Sequence, residues 1–315
     1  MGYENYKMLN KYNLFIRILQ FFSFLISPER IINLIKRNIS KYKKKKTKFS
    51  LKDLANFFRF LPTAKSNYGL IKRIRYSSFE KKLIDSNLKL FNKYSMVSYG
   101  GLVYTFNLTL YVVKNKIAGD IVETGCWKGG SAAAIYFALK QLNSNKKIYL
   151  YDSFMGLPNL TKKDLDDKSN TFNSKNLKRE WKVKDDEFSG KMRPLESSAL
   201  KAELNDINHL FFKLLKAKKS QVIINQGWFI DSFQNAESKK IKKISLLRLD
   251  ADLYESTKIA LDTFYTRVQN GGVIIIDDYS IPGCKKACHD FFNKNSIKPL
   301  LIPIDAVSAF FIKMK

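Results

Sequence analysis

From Ile117 to the C-terminus the chain alternates short apolar runs with helix-length segments, and this alternation constrains the fold more than any other feature. The runs are 120–123, 147–151, 221–225, 244–250 and 273–277, and the segments with helical spacing are 130–142, 195–217, 254–265 and 284–293. Apolar runs this short, each separated from the next by room for a helix, are parallel strands joined by crossovers. The expected fold class is therefore α/β with a mostly parallel sheet. Two further runs, 300–304 and 309–312, lie close enough to form an antiparallel pair at the chain's end. Ahead of the sheet, 79–94 and 102–113 read as helices, and no internal repeat is visible.

Charge is the most conspicuous feature of the composition. The 315 residues carry 56 Lys plus Arg against 28 Asp plus Glu, a formal net charge of +28, yet 45% are hydrophobic, enough to bury a core and to exclude wholesale disorder. Three cysteines cannot build a disulfide framework and two histidines cannot support a His-rich metal centre, so a reducing, cytoplasmic setting is expected. Residues 1–90 hold 21 basic and 5 acidic side chains, more than half of the excess, peaking at Lys41 and Lys43 to Lys46. Just before that peak lies Leu14 to Ile26, apolar except at Arg17, Gln20 and Ser23. A span needs about 20 residues, so this segment is too short to cross a membrane. It reads either as an interfacial helix docking residues 1–50 peripherally on the anionic inner face of a membrane, or as a packed helix with solvated lysines. No small-residue cleavage site or myristoylation pattern accompanies it. The basic peak lacks an interleaved aromatic platform, so nucleic acid is not an expected partner. The domain organisation read from these shifts is a basic helical N-terminal extension, 1–75, and a body, 76–315. Within the body, 159–194 is polar and aperiodic, an insertion between strand and helix.

Chemistry concentrates where the apolar runs end. Val122-Glu123-Thr124-Gly125-Cys126-Trp127-Lys128-Gly129-Gly130-Ser131 carries a strand into a glycine-rich turn and then a helix. Gly125 permits a sharp turn, and Gly129 and Gly130 permit close approach of a ligand. A dinucleotide fingerprint needs Gly-x-Gly-x-x-Gly; here the spacing differs and Glu123 precedes the first glycine. A carboxylate there repels phosphate and attracts an ammonium group, which suits S-adenosylmethionine better than a nicotinamide dinucleotide. The turn also has a plain packing explanation. The next strand ends in Asp152-Ser153, where a carboxylate can take ribose hydroxyls or simply cap a helix.

Two more strands run directly into carboxylates: Arg248-Leu249-Asp250-Ala251-Asp252 and Ile274-Ile275-Ile276-Asp277-Asp278. The interval between them holds one crossover helix, so they are expected to be parallel neighbours, about 4.8 Å apart. That brings Asp250, Asp277 and Asp278 within reach of one cation, and an all-oxygen donor set suits Mg²⁺ or Mn²⁺ rather than zinc. Asp252, two residues beyond Asp250, is the expected general base, with His289 on the following helix as its rival. Arg248 either neutralises the acids or pairs within the sheet. Cys284 and Cys288, spaced i, i+4, lack the partners of a metal site.

Together with Asp152 to Pro158 and Gln226-Gly227-Trp228-Phe229, these motifs, in this order, resemble the macrocin O-methyltransferase family, over about residues 90–295. The resemblance implies a class I methyltransferase fold, a Rossmann-like seven-stranded sheet flanked by helices. It implies S-adenosylmethionine held by Glu123, Gly125, Ser131, Asp152 and Ser153 with Met96 covering it. It also implies Mg²⁺ on Asp250, Asp277 and Asp278, and Asp252 as base. Gly129 joins the cofactor set from the glycine turn. The implied reaction is O-methylation of a sugar hydroxyl on a surface glycan, a nucleotide sugar or a glycosylated metabolite, with a homo-oligomer allowed. A catechol-like or other small-molecule acceptor is the alternative within the fold. A non-enzymatic basic docking protein on the same scaffold is the alternative outside it.

Overall fold

The computed structural model describes residues 77–166, 172–180, 184, 189, 194 and 200–314. The apolar run 14–26, the lysine peak and parts of 159–194 lie outside the described residues. The sheet and the site lie within one compact unit, Asp85–Lys315.

In chain order the elements are α1 (Ser78–Asn92), α2 (Tyr99–Lys114), β1 (Asp120–Thr124), α3 (Gly130–Gln141), β2 (Ile148–Asp152) and α4 (Ser174–Glu180). There follow α5 (Leu204–Asn208), β3 (Val222–Gln226), α6 (Phe229–Ser232), α7 (Ala236–Lys240) and β4 (Ile244–Leu249). The chain ends with α8 (Tyr254–Phe264), β5 (Val268–Ile276), α9 (Pro282–Lys294), β6 (Ile302–Pro303) and β7 (Ala309–Ile312). The sheet order is β3-β2-β1-β4-β5-β7-β6. Strands β1 to β5 are mutually parallel, and β7 runs antiparallel to both β5 and β6.

The apolar runs are strands because both of their faces are buried. Val122, Tyr149, Tyr151, Leu247, Leu249, Ile274 and Ile276 share one core with Leu261 and Phe264 of α8 and Phe291 and Phe292 of α9. The alternate residues, Ile121, Ile148, Leu150, Leu246 and Ile275, are equally buried and belong to the opposite face, where α2 and α3 pack. A Leu or Phe buried this completely contributes about 1.5–3 kcal/mol. Helix α2 is apolar nearly all round because it is itself covered, Phe106 meeting Phe137 of α3 at 5.8 Å between ring centroids.

Three expectations need correction. Of the helix expected over 195–217, residues 200–203 are not helical, Leu204–Asn208 are α-helix, and His209–Leu214 continue as a π-helical turn rather than as α-helix. The strand expected over 300–304 shrinks to Ile302–Pro303, because Pro303 has no N–H to extend a ladder. Conversely β5 begins at Val268, earlier than expected, because Asn270-Gly271-Gly272, which reads as a turn, continues the strand.

The winding matters for the site. Chain direction reverses its outward progress between β1 and β4, which lie side by side, so a crevice opens at their C-terminal ends. Register makes this quantitative: Thr124 pairs with Leu249 and Leu249 with Ile276. Gly125, Asp250 and Asp277, the next residues of the three strands, therefore emerge side by side. Gly125 (φ +79°) has no alternative here, since a Cβ at that position would lie 1.6 Å from the Asp250 carbonyl oxygen.

Candidate active site

The cleft at these strand ends has a volume of about 430 Å³. One wall is the turn between β1 and α3. Asp152, the last residue of β2, holds that turn in shape: its Oδ2 accepts from the backbone N–H of Cys126 (2.9 Å) and of Trp127 (2.8 Å). Its Oδ1 accepts from Phe154 N–H at 2.8 Å. Burial raises the Asp152 pKa above the ordinary carboxylate value, and the three N–H donors oppose that rise. The two explanations for Asp152 thus meet in one residue, which organises backbone and also lines the cleft. Ser153 lines it too, its hydroxyl donating to the Gly156 carbonyl at 3.0 Å. Trp127 (φ +45°), Phe154 (φ +56°) and Asp252 (φ +54°) all adopt left-handed backbone just beyond β1, β2 and β4. Non-glycine residues in that region are costly and concentrate at functional sites.

The opposite wall is built on Arg248, which is fully buried in β4. Its Nη1 donates to Glu123 Oε1 (2.8 Å) and to Asp250 Oδ2 (2.6 Å), and its Nη2 donates to Asp277 Oδ1 (2.6 Å). Arg248 therefore does both things foreseen for it. It pairs within the sheet, opposite Glu123 in register, and it neutralises the acids. Burial disfavours its charge, but Asp277, Asp250 and Glu123 outweigh burial and keep the guanidinium cationic.

One cation cannot satisfy so many carboxylates. At an effective dielectric constant of about 20, two like charges 4 Å apart repel by about 4 kcal/mol. Burial, then Asp250 and Asp277, pushes the Asp252 carboxyl well up. Burial raises Asp277 against the pull of Arg248, and burial together with Asp252 holds Asp278 well above the usual carboxylate range. Ligand oxygens of Asp250, Asp252 and Asp278 lie within 4.8 Å of one another. Asp278 Oδ2 also accepts from Asp252 N–H at 3.1 Å. The set is all oxygen, excess in negative charge and partly open to the cleft, and it fits a hard divalent cation. Asp250 and Asp278 belong both to this group and to the trio read from sequence. Asp277 instead turns toward Arg248 and the Ser308 hydroxyl, 3.3 Å away.

Of the residues singled out from sequence, Met96, Gly125, Ser131, Asp152, Ser153, Asp250, Asp252, Asp277 and Asp278 line the cleft. Glu123 does not. It is fully buried behind the wall, where Arg248 and the Ser131 hydroxyl (2.6 Å) occupy its Oε1. Burial lifts its pKa to about 7, with Arg248 and Ser131 opposing. The carboxylate expected to face a ligand's ammonium group is drawn back by the arginine opposite it in the sheet. Gly129 is set back as well: it begins α3 with left-handed backbone, and a Cβ there would meet Ile207 at 2.9 Å. His289 is also outside the lining and hydrogen-bonds the Tyr279 hydroxyl at 2.9 Å. Burial and Lys285 lower its pKa. Cys284 and Cys288 are core residues.

Sequence reasoning missed the β6–β7 turn. Asp305 lines the cleft, accepts from the Ser98 hydroxyl at 2.7 Å and from the N–H groups of Val307 and Ser308. The Asp-x-x-Ser pattern between two apolar runs is its only local sign, and it reads as an ordinary turn.

A sheet of this strand order, with its cleft at the carboxyl ends of β1, β2 and β4, defines a class I methyltransferase. The chain belongs to the macrocin-O-methyltransferase (TylF) family, whose sequence profile matches residues 32–313. It is accordingly an S-adenosylmethionine-dependent O-methyltransferase. It is 31% identical over 201 residues to the 8-demethyl-8-(2,3-dimethoxy-alpha-L-rhamnosyl)-tetracenomycin-C 4'-O-methyltransferase of Streptomyces olivaceus, a match covering 63% of this chain and 67% of that one. It is 30% identical over 198 residues to the demethyldecarbamoylnovobiocin O-methyltransferase of Streptomyces niveus, covering 62% and 66%. The chain thus spans about two thirds of the length of these relatives. Among solved structures it is similar to the O-methyltransferase NovP, with 27% identity, a TM-score of 0.56, and coverage of 70% of this chain and 83% of that one. Among the described residues no helix is long and apolar enough to cross a membrane.

Proposed function

We propose that the protein methylates a sugar hydroxyl of a glycosylated small molecule, assisted by a divalent cation. The observation that carries this is the carboxylate group of Asp250, Asp252 and Asp278 opening into the same cleft as the glycine turn. The rhamnosyl acceptor in the name of one relative, and mycinamicin III in that of a Micromonospora griseorubida 3''-O-methyltransferase 29% identical over 194 residues, support the acceptor class. Bound in the cleft, S-adenosylmethionine supplies an electrophilic methyl group, and a divalent ion lowers the pKa of a hydroxyl it coordinates.

The chain's own part is as follows. Asp250 and Asp278 hold the ion, with Asp277 or Asp252 as the third carboxylate. Asp152, Ser153 and the Gly125–Ser131 turn shape the nucleoside side, and Met96, two-thirds exposed at the rim, covers it. Asp252 accepts the proton of the attacking hydroxyl, a contribution of about 10²–10⁴ in rate for a positioned base. Arg248 keeps the wall from carrying more negative charge than one ion can offset. A basic N-terminal extension that docks on an anionic membrane belongs to the same proposal and concerns residues outside the described set.

The test is methyl transfer from labelled S-adenosylmethionine to a panel of glycosylated metabolites, nucleotide sugars, surface glycans and catechols, with and without chelator. Transfer to a sugar that chelator abolishes and Mg²⁺ restores is the expected result. Undiminished transfer in chelator removes the metal, and transfer to catechols alone removes the sugar. Within the same assay Asp252→Asn is expected to lose activity while His289→Ala keeps it.

A further inference from the structure

Asp164 is an acid with almost no solvent exposure, ninety positions from its most telling partner. It lies in the short turn Lys162–Asp164 after β2, where the polar insertion begins. Its Oδ2 accepts from the backbone N–H (2.7 Å) and hydroxyl (2.8 Å) of Thr161, closing a capping box on its own turn. Its Oδ1 accepts from Tyr254 N–H at 2.6 Å. Tyr254 is the first residue of α8, and the residue before it, Leu253, has no side chain able to cap the helix. Asp164 thus caps α8 from a distant segment.

What α8 follows gives this contact its meaning. The link between β4 and α8 is Asp250 to Leu253, containing Asp252 in left-handed backbone. A strained residue persists only where its surroundings hold it. Two carboxylates do so from either side: Asp278 takes the N–H of Asp252 itself, and Asp164 takes the N–H of Tyr254 two residues on. Side-chain packing repeats the arrangement. Leu253 is buried with Leu157, Leu160 and Leu177 in a small core of its own, joined by Leu165, Phe172 and Leu200. The segment after β2 therefore grips the Asp252 turn through one carboxylate and one apolar cluster. The fit around Asp164 is close: a Cβ on Gly283, near the start of α9, would lie 2.0 Å from its Oδ1.

We propose that Asp164 is a positioning residue for Asp252, fixing the β4–α8 turn that presents the proton acceptor to the cleft. The inference rests on the reading of Asp252 given above. Asp164 is not part of the cleft lining, and its hydrogen bonds go to Thr161 and Tyr254 rather than to the glycine turn, so its loss should spare cofactor binding and impair turnover. Misplacement of a reacting group by about 1 Å can cost about 10²-fold in rate.

The experiment measures S-adenosylhomocysteine affinity by calorimetry, melting temperature, and kcat with a saturating acceptor, for Asp164→Ala, Gly283→Ala and Asp252→Asn. Gly283→Ala displaces the carboxylate without removing it, so it separates position from charge. The expected result is that both Asp164→Ala and Gly283→Ala bind S-adenosylhomocysteine within about threefold of the parent while kcat falls about 10- to 100-fold. A kcat within twofold of the parent, per cofactor-binding site and well below the melting temperature, overturns the inference. So does a loss of cofactor affinity as large as the loss of kcat, which marks a general folding defect. If Asp252→Asn itself retains full kcat, it is the assignment of Asp252 that fails, and this outcome is distinguishable from the other two.

Discussion

Replacing Arg248 by Met tests whether the acid wall stands because one guanidinium neutralises it. Methionine matches the stem in length and removes the charge, together with hydrogen bonds to Glu123, Asp250 and Asp277. Breaking a buried ion pair by deleting one partner costs about 3–5 kcal/mol, and here one deletion strips several carboxylates at once. For a body of this size, each kcal/mol shifts the melting temperature by about 2–4 °C, so a loss of about 10 °C or more is expected near pH 8. The cost should depend on pH. Glu123 has its folded pKa raised to about 7, and Asp277 is raised likewise, so each favours folding in its protonated form. Stability carried by such a group is intact below its unfolded pKa, near 4, and is lost as pH rises through the folded value. Without Arg248 these folded values rise further. The gap between parent and variant should therefore be small near pH 5 and widen toward pH 8, where added Mg²⁺ recovers part of it. The assay is thermal unfolding of both proteins across that range, with chelator and with Mg²⁺. A melting temperature equal to the parent's at pH 8, or a gap that does not change with pH, refutes the account of Arg248 as neutraliser.

Asp152→Ala is expected to weaken S-adenosylhomocysteine binding at least tenfold by calorimetry, because the N–H groups of Cys126 and Trp127 lose the acceptor that shapes their turn. Gly125→Ala should fail to accumulate as folded protein, since its Cβ would overlap the Asp250 carbonyl; a soluble variant with parental melting temperature would contradict the geometry. Tyr151→Phe deletes a buried hydroxyl 2.7 Å from the Ser238 hydroxyl, and denaturant unfolding should show a loss of about 1 kcal/mol with methyl transfer unchanged.

Much of the fold was legible because parallel strands buried on both faces leave a strong trace: runs such as 147–151 and 273–277 have no amphipathic reading. The extent of the helix over 195–217 was not, because a single turn with i→i+5 bonds carries no pattern of its own in sequence: apolar residues such as Leu210 and Phe211 are buried there as they would be in an α-helix. Within the site, Asp250 and Asp277 could be paired from sequence, since a single crossover helix makes their strands neighbours and carboxylates are driven to the strand ends. Glu123 could not be placed, because its orientation depends on Arg248, 125 positions away, lying opposite it in register.

The sequence by itself determined the class of architecture, the strand ends at which chemistry gathers and the acidic character of that centre within a chain of net charge +28. These follow from local rules: apolar runs must be buried, glycine must occupy the sharp turn, and ionised groups must leave the sheet interior. Tertiary structure decided which acids gather in the cleft, Asp250, Asp252 and Asp278, and which share an arginine, Glu123, Asp250 and Asp277. It drew Glu123 away from the cleft, turned His289 toward Tyr279, brought Asp305 into the cleft, and set Asp164 behind the β4–α8 turn, the last two from segments that read as ordinary turns. The physical reason is common to all of them. A buried charge takes the nearest partner the packing offers, and that partner is set by strand register and helix docking between residues far apart in the chain.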